Sequence, residues 1–236
     1  MLSEKLCFKM TKEVKNQNDG LENVEQALSK TELFIEKNKN VLMTILLVAI
    51  VVVIAIIGFK KFYSEPRAER AEKEMFKAES FFENQAYENA LNGDGNHLGF
   101  KKIIEDYGST KSGNLARYYA GICYMKLGNF NDALEQLKKF SGTDKVFAPL
   151  ALGAIGDCYV ELDDINSAAS YYMKAAKKEA NAFSSPYFLS KAGLAYRIAN
   201  DNTNALKAYE QLKEEYPNSI EAREAASVIE FLKNSK

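Results

Sequence analysis

The loop Asn92-Gly93-Asp94-Gly95-Asn96-His97 gathers side chains that could hold a cation or move a proton, and it contains the chain's one histidine. A twelve-residue calcium loop opening at Asn92 would need glycine in sixth place and a bidentate acid in twelfth. Those places hold His97 and Ile103, so the pattern fails. With Gly93 and Gly95 able to take positive φ, a tight connection between two helices accounts for the composition. His97 has no cysteine or second histidine at metal-ligand spacing and reads as a surface or cap residue. An enzyme would need a pocket converging on His97, Asp94 and Glu105, which is not expected.

Cys123 and Cys158 are the other reactive types to weigh. Equivalent points on neighbouring packed helices lie about 8–10 Å apart, beyond the roughly 7 Å between the Cα atoms of a disulfide. Both therefore read as small core-facing hydrophobes. Cys7 follows no apolar run and so is not the lipidated cysteine of a lipoprotein signal. There is no glycine-rich phosphate loop after a strand, no nucleophile elbow and no distinctive acid pair. The sequence assigns no catalytic, metal or cofactor residue, and a noncatalytic protein is expected.

Charge narrows the partners further. The 31 Lys and Arg against 32 Asp and Glu give no basic field for nucleic acid, while 47% hydrophobic residues suffice for a core.

The elements that would position any site are set by a repeat. Gly121-x-x-Tyr124, Gly156-x-x-Tyr159 and Gly193-x-x-Tyr196 recur at intervals of 35 and 37 residues. Each tyrosine is followed by Ala133, Ala168 or Ala205, then by Leu137, Tyr172 or Tyr209, and the third copy ends at Tyr216-Pro217. A glycine and an alanine at fixed places suit two antiparallel helices crossing closely, with the larger side chains filling gaps between them. Leu127-Gly128-Asn129 and Ala199-Asn200-Asp201 break the helical period between paired helices. Spacing and residue order resemble a tetratricopeptide array, which needs several stacked hairpins to bury its apolar faces.

The expected fold is all-α: one N-terminal transmembrane helix and then a tetratricopeptide solenoid over residues 66–236. Three repeats are clear. A degenerate fourth precedes them, read as one long helical stretch over 66–91, the loop described above, and Gly99-Phe100 to Tyr107, which matches Ala208-Tyr209 to Tyr216. A capping helix over 218–233 turns Ala222, Ala225, Ala226, Ile229 and Leu232 to the stack.

The resemblance implies a concave groove lined by the first helix of each hairpin. Repeat phase places Leu115, Tyr118, Ile122 and Met125 there, then Leu150, Asp157 and Val160, then Tyr187, Lys191, Leu194 and Arg197. Chaperone-adaptor members hold a C-terminal carboxylate with a lysine, asparagine and arginine clamp. The matching positions here are Tyr118, Ile122, Ala154 and Tyr187, with Lys191 alone basic, so an acidic chaperone tail is disfavoured.

Residues 41–59, VLMTILLVAIVVVIAIIGF, carry no charge and are close to the length that a bilayer core of roughly 30 Å requires. About forty polar residues precede them and no small-residue cleavage site follows, which suits an uncleaved anchor. Upstream, residues 1–20 read as a disordered tail and 21–40 as an amphipathic juxtamembrane helix, with translation starting at Met1 or Met10. The helix over 21–40 reads either as part of a homodimer or partner surface through 21–59, or as a helix that lies on the bilayer or continues the anchor. Flanking charge is Lys30, Lys37 and Lys39 on one side and Lys60, Lys61, Arg67, Arg70, Lys73 and Lys77 on the other, a count that places the large domain in the cytoplasm. A long domain can translocate regardless of that bias.

The layout of tail, anchor, Pro66 and repeat domain resembles the bacterial YfgM-like proteins. That resemblance implies an inner-membrane protein whose domain faces the periplasm beside the Sec translocon and engages secreted clients or periplasmic chaperones. The competing expectation is a cytoplasm-facing regulatory adaptor that sequesters a signalling or envelope-stress factor.

Overall fold

The computed structural model describes residues 34–142 and 145–234. Within them every regular element is helical apart from an isolated antiparallel bridge between Gly93 and Leu98. The tail 1–20 and most of the helix expected over 21–40 lie outside the described residues, as does Cys7. Two units separate, Met1–Tyr63 and Ser64–Lys236.

In the first unit, helix α1 is described over 34–59. It contains an apolar window of mean hydropathy 3.3, none of it buried, and is long enough to cross a membrane. Val41, Leu47, Ile54 and Phe59 are each 60–63% exposed. A core helix of a soluble protein would be packed on at least one face; this one shows apolar side chains all round. Thr44, the one hydroxyl in the run, donates from Oγ1 to the Asn40 carbonyl at 2.8 Å and so is satisfied within its own helix. Lys60–Ser64 forms a five-residue π-helical turn.

The second unit contains α2 (Glu65–Glu83), α3 (Tyr87–Asn92), α4 (Phe100–Tyr107), α5 (Lys111–Lys126), α6 (Phe130–Lys139), α7 (Phe147–Glu161), α8 (Ile165–Lys178), α9 (Ser185–Ile198), α10 (Asn202–Glu215) and α11 (Ile220–Asn234). From α4 onward each helix packs on the next in chain order. Four hairpin turns close in the same way. The N–H groups of Ala86, Asn129, Asp164 and Asp201 donate to the carbonyls of Phe81, Tyr124, Tyr159 and Tyr196 at 2.8–2.9 Å. The residue before each donor, Gln85, Gly128, Asp163 or Asn200, sits at φ 59–78°. This is the left-handed closure that satisfies a helix's last carbonyls. Asp164 and Asp201 then accept from the N–H groups of Ser167 and Asn204, both at 3.0 Å, and cap the returning helix.

That shared turn revises the reading of residues 66–91. They form not one helix but the hairpin α2–α3, folded at Gln85. Phe81 and Ala90 stand nine apart, as Tyr124 and Ala133 do, and buried Ala78 takes the place of the repeat glycine. Where the returning helix should continue, Gly93–Gly99 interrupts it, and α4 resumes with fully buried Phe100. The degenerate copy is thus a complete hairpin whose second helix is cut by an inserted loop.

The repeat glycines act by absence of volume. A Cβ at Gly121, Gly156 or Gly193 would stand 2.5–2.6 Å from Leu137, Tyr172 or Tyr209, the larger side chain of the returning helix. Three core clusters follow along the stack: one across α2–α5 around Phe100 and Ile103, one across α6–α7 around Leu137 and Ile155, and one across α8–α11 around Tyr172, Leu189 and Leu212.

A concave groove across three hairpins

The first helices of successive hairpins line a cavity of about 680 Å³. Helix α5 supplies Tyr118, Ile122, Met125 and Lys126. Helix α7 supplies Leu150, Gly153, Ala154, Asp157, Val160 and Glu161. Helix α9 supplies Tyr187, Phe188, Lys191, Leu194, Ala195 and Ile198. Spacings of three and four residues put each set on one helical stripe. Phe130, Ile165 and Tyr172 reach in from α6 and α8.

The structure brings together all the groove positions expected from repeat phase except two. Leu115 packs instead against the core shared by α2–α5. Arg197 lies one residue off the stripe 187, 191, 194, 198, and its guanidinium meets the Tyr209 hydroxyl. Sequence reasoning missed Ile198, which continues that stripe by a further turn. It also missed Phe130 and Ile165, the first residue of the returning helix in two repeats, and Tyr172. Tyr172 enters because Gly156 leaves room, its ring atoms lying where a Cβ would be.

One polar cluster marks this apolar surface. Lys191 Nζ pairs with Asp157 Oδ1, and the Tyr172 hydroxyl donates to the same oxygen at 2.6 Å. Lys191 Nζ also lies 4.8 Å from the Tyr172 ring centroid and 5.4 Å from that of Tyr187, within cation–π range. Burial, with the Asp157 hydrogen bond adding to it, drives the Tyr172 phenol well above its ordinary value and keeps it a donor. Burial likewise pushes Tyr118 up to about 12. The four charged residues of the lining, Lys126, Asp157, Glu161 and Lys191, cancel in sign. Such a surface suits an extended apolar and aromatic segment, with the Asp157–Lys191 pair as its polar mark.

The other candidates resolve into structure. Gly93 and Gly95 take φ of 87° and 89°, and Asp94 Oδ1 accepts from the N–H groups of Asn96 and His97 at 2.9 and 2.7 Å. Those bonds hold the Asp94 carboxyl below its usual range. Glu105 pairs with Lys102 at 3.0 Å. Among the described residues no group of three metal-ligating side chains converges. Cys123 and Cys158 are free, fully buried thiols pushed up to about 12 by that burial.

A family model described as a tetratricopeptide repeat matches residues 115–141 and 188–219, and a second model of the same description matches 150–177. These segments fall on α5–α6, α9–α10 and α7–α8 in turn. The folded domain is a tetratricopeptide-repeat solenoid. Its α2–α4 hairpin, with the inserted loop, lies outside the matched segments. Two crystal structures of the MamA protein are similar at 21% identity. One has a TM-score of 0.54 over 70% of this chain and 84% of that one; the other has 0.52 over 66% and 84%. A putative kinesin light chain from Podosopora anserina with nearly identical repeats is similar at 12% identity and TM-score 0.52, over 71% of this chain and 95% of that one. At such identities the likeness is one of fold. No curated protein matches the chain. Tetratricopeptide solenoids are protein-interaction scaffolds that work through their concave surfaces, and are generally noncatalytic.

Proposed function

We propose that this chain is a membrane-tethered scaffold that holds an apolar, aromatic-rich stretch of a partner polypeptide in the groove of α5, α7 and α9. The observation that carries this reading is the lining itself, aromatic and aliphatic with a single embedded ion pair. Asp157 and Lys191 give a bound segment a fixed register, since a polar side chain placed elsewhere along it would lose its partners. Helix α1 is the tether. Lys60, Lys61, Phe62 and Tyr63 follow it, types that favour the boundary between lipid and water. The likeness of the layout to YfgM-like proteins supports a domain on the periplasmic face of the inner membrane, working beside the Sec translocon with chaperones or secreted clients.

The excess of Lys and Arg after α1 favours a second reading, in which the domain faces the cytoplasm and the groove sequesters a regulatory factor. Two arms of one experiment test both. A photoreactive residue at Leu194, half exposed in the groove, should crosslink the full-length chain to a polypeptide in native membranes, and the same residue at Glu230 on α11 should not. Equal crosslinking at both positions, or none at Leu194, refutes the groove. An impermeant thiol reagent applied to a cysteine at Glu230, with the three native cysteines replaced by serine, decides the side. Labelling before the inner membrane is broken supports the periplasm, and protection until then supports the cytoplasm.

A further inference from the structure

The hairpins of the solenoid return the chain to one edge after every pair of helices. That edge carries the start of α2 and the loop residues 108–110, 140–142, 145–146, 179–184 and 216–219. Contacts along it confirm the alignment. Arg67 near the start of α2 donates to the Asp106 carbonyl at the end of α4 and lies 5.6 Å from the Tyr107 ring centroid. Asn114 at the start of α5 exchanges hydrogen bonds of 3.1 Å with the Ser141 backbone.

Phe183 projects from that edge, 86% exposed. It does not hang from a slack loop. The N–H groups of Phe183 and Ser184 donate to Asn181 Oδ1 at 2.9 and 2.8 Å, the Asn181 N–H donates to Ser185 Oγ at 3.0 Å, and that hydroxyl donates to the Ala176 carbonyl at 2.8 Å. A backbone tied down this fully displays its phenyl ring to water at a standing hydrophobic cost. Val146, 57% exposed, occupies the corresponding place in the preceding loop. Exposed lysines lie close to the pair in sequence: Lys145 beside Val146, and Lys177 and Lys178 ahead of Phe183. Glu179 is the carboxylate nearest Phe183 in sequence and Asp144 the one nearest Val146, while further acid gathers one loop on, at Glu214, Glu215 and Glu221.

We propose that this edge, centred on Phe183 and Val146, rests on the anionic lipid surface of the membrane that α1 enters. An aromatic side chain among lysines is the pairing that settles at the headgroup level, the ring below the phosphates and the ammonium groups among them. The proposal rests on the tether described above and adds to it a lipid-contacting surface.

The chain contains no tryptophan, so Phe183→Trp introduces a unique fluorophore. Full-length protein carrying Phe183→Trp, and separately Leu162→Trp on the opposite edge, would be reconstituted into phosphatidylcholine vesicles with and without phosphatidylglycerol, using acyl chains brominated as quenchers. The expected result is blue-shifted emission quenched at least twofold for Phe183→Trp in the anionic vesicles, with no quenching for Leu162→Trp. Adding Lys177→Gln and Lys178→Gln should restore most of the emission. Protein that floats with the vesicles while Phe183→Trp stays unquenched, or is quenched no more than Leu162→Trp, overturns this proposal alone. Quenching that is equal without phosphatidylglycerol overturns the assignment to anionic lipid. Protein that fails to float overturns the tether and this proposal with it.

Discussion

Gly153→Ala pits two known effects against each other at the seam between α7 and α9. Alanine in place of glycine inside a helix gains about 1 kcal/mol in backbone propensity. The added Cβ, however, would stand 2.1 Å from Cε1 and 2.4 Å from Cζ of Phe188, a ring that is 3% exposed. Since ordinary contact begins near 3.4 Å, the ring must retreat by about 1.3 Å, the difference between 3.4 and 2.1. Overpacking a closed core costs about 1–3 kcal/mol, and a displacement this large on a rigid ring belongs in the upper part of that range. The net expectation is a loss of about 1–2 kcal/mol despite the better helix former. Phe188→Leu alone should also destabilise, by about 1–2 kcal/mol, through lost ring carbons. Together the two changes should compensate, the double variant exceeding the additive sum by at least about 1 kcal/mol. Urea unfolding of the detergent-solubilised full-length chain, followed by helical circular dichroism, supplies the four midpoints. A Gly153→Ala chain more stable than the parent, or a double variant that is simply additive, would refute the packing argument.

Three further outcomes follow from the same geometry. Burial holds the Cys123 and Cys158 thiols up to about 12, against about 8.5 in an open chain. Because the folded value is the higher, the unfolded chain releases its protons first, so urea midpoints should be level below about pH 8.5 and fall as pH climbs toward 12. On a Cys7→Ser background, neither thiol should react at pH 7 until the domain unfolds. Gln85→Gly should stabilise by about 0.5–1 kcal/mol, since Gln85 holds φ 59° where glycine carries no Cβ penalty; a lowered midpoint would contradict the left-handed turn. Asp157→Asn should cost less than about 1 kcal/mol of stability, its pair with Lys191 being partly exposed at 28% and 38%. The same change should lower crosslinking from Leu194 several-fold, and unchanged crosslinking would remove the pair from any role in register.

How far the sequence could be read depended on whether a feature was periodic. Gly121, Gly156 and Gly193 with their tyrosines announced three hairpins, because a tight helix crossing demands the smallest side chain at one place in every copy. The first hairpin was harder to see. Ala78 stands in for the glycine, Gln85 takes a conformation that the sequence pattern would give to glycine or asparagine, and Gly93–Gly99 shifts the register of everything after it. A continuous helix over 66–91 fits the apolar spacing equally well, since α2 and α3 each keep a 3.6-residue period and the break between them carries no proline or glycine. In the groove, phase along a single helix found the stripes of α5, α7 and α9. It could not find Tyr172, whose presence depends on a gap in a neighbouring helix. Nor could it exclude Leu115, which packs into the core that α5 shares with α2–α4.

The three separate cores have a mechanical consequence. A stack held together by nearest-neighbour seams meets load at its end helices first, even where urea melts the whole domain at once. A segment lying along α5, α7 and α9 would touch helices that belong to all three cores at once, so its binding energy would add directly to the seams. Occupancy would then be felt as stiffness: an empty solenoid gives way in stages under load, and a filled one pulls as a single body against its point of attachment.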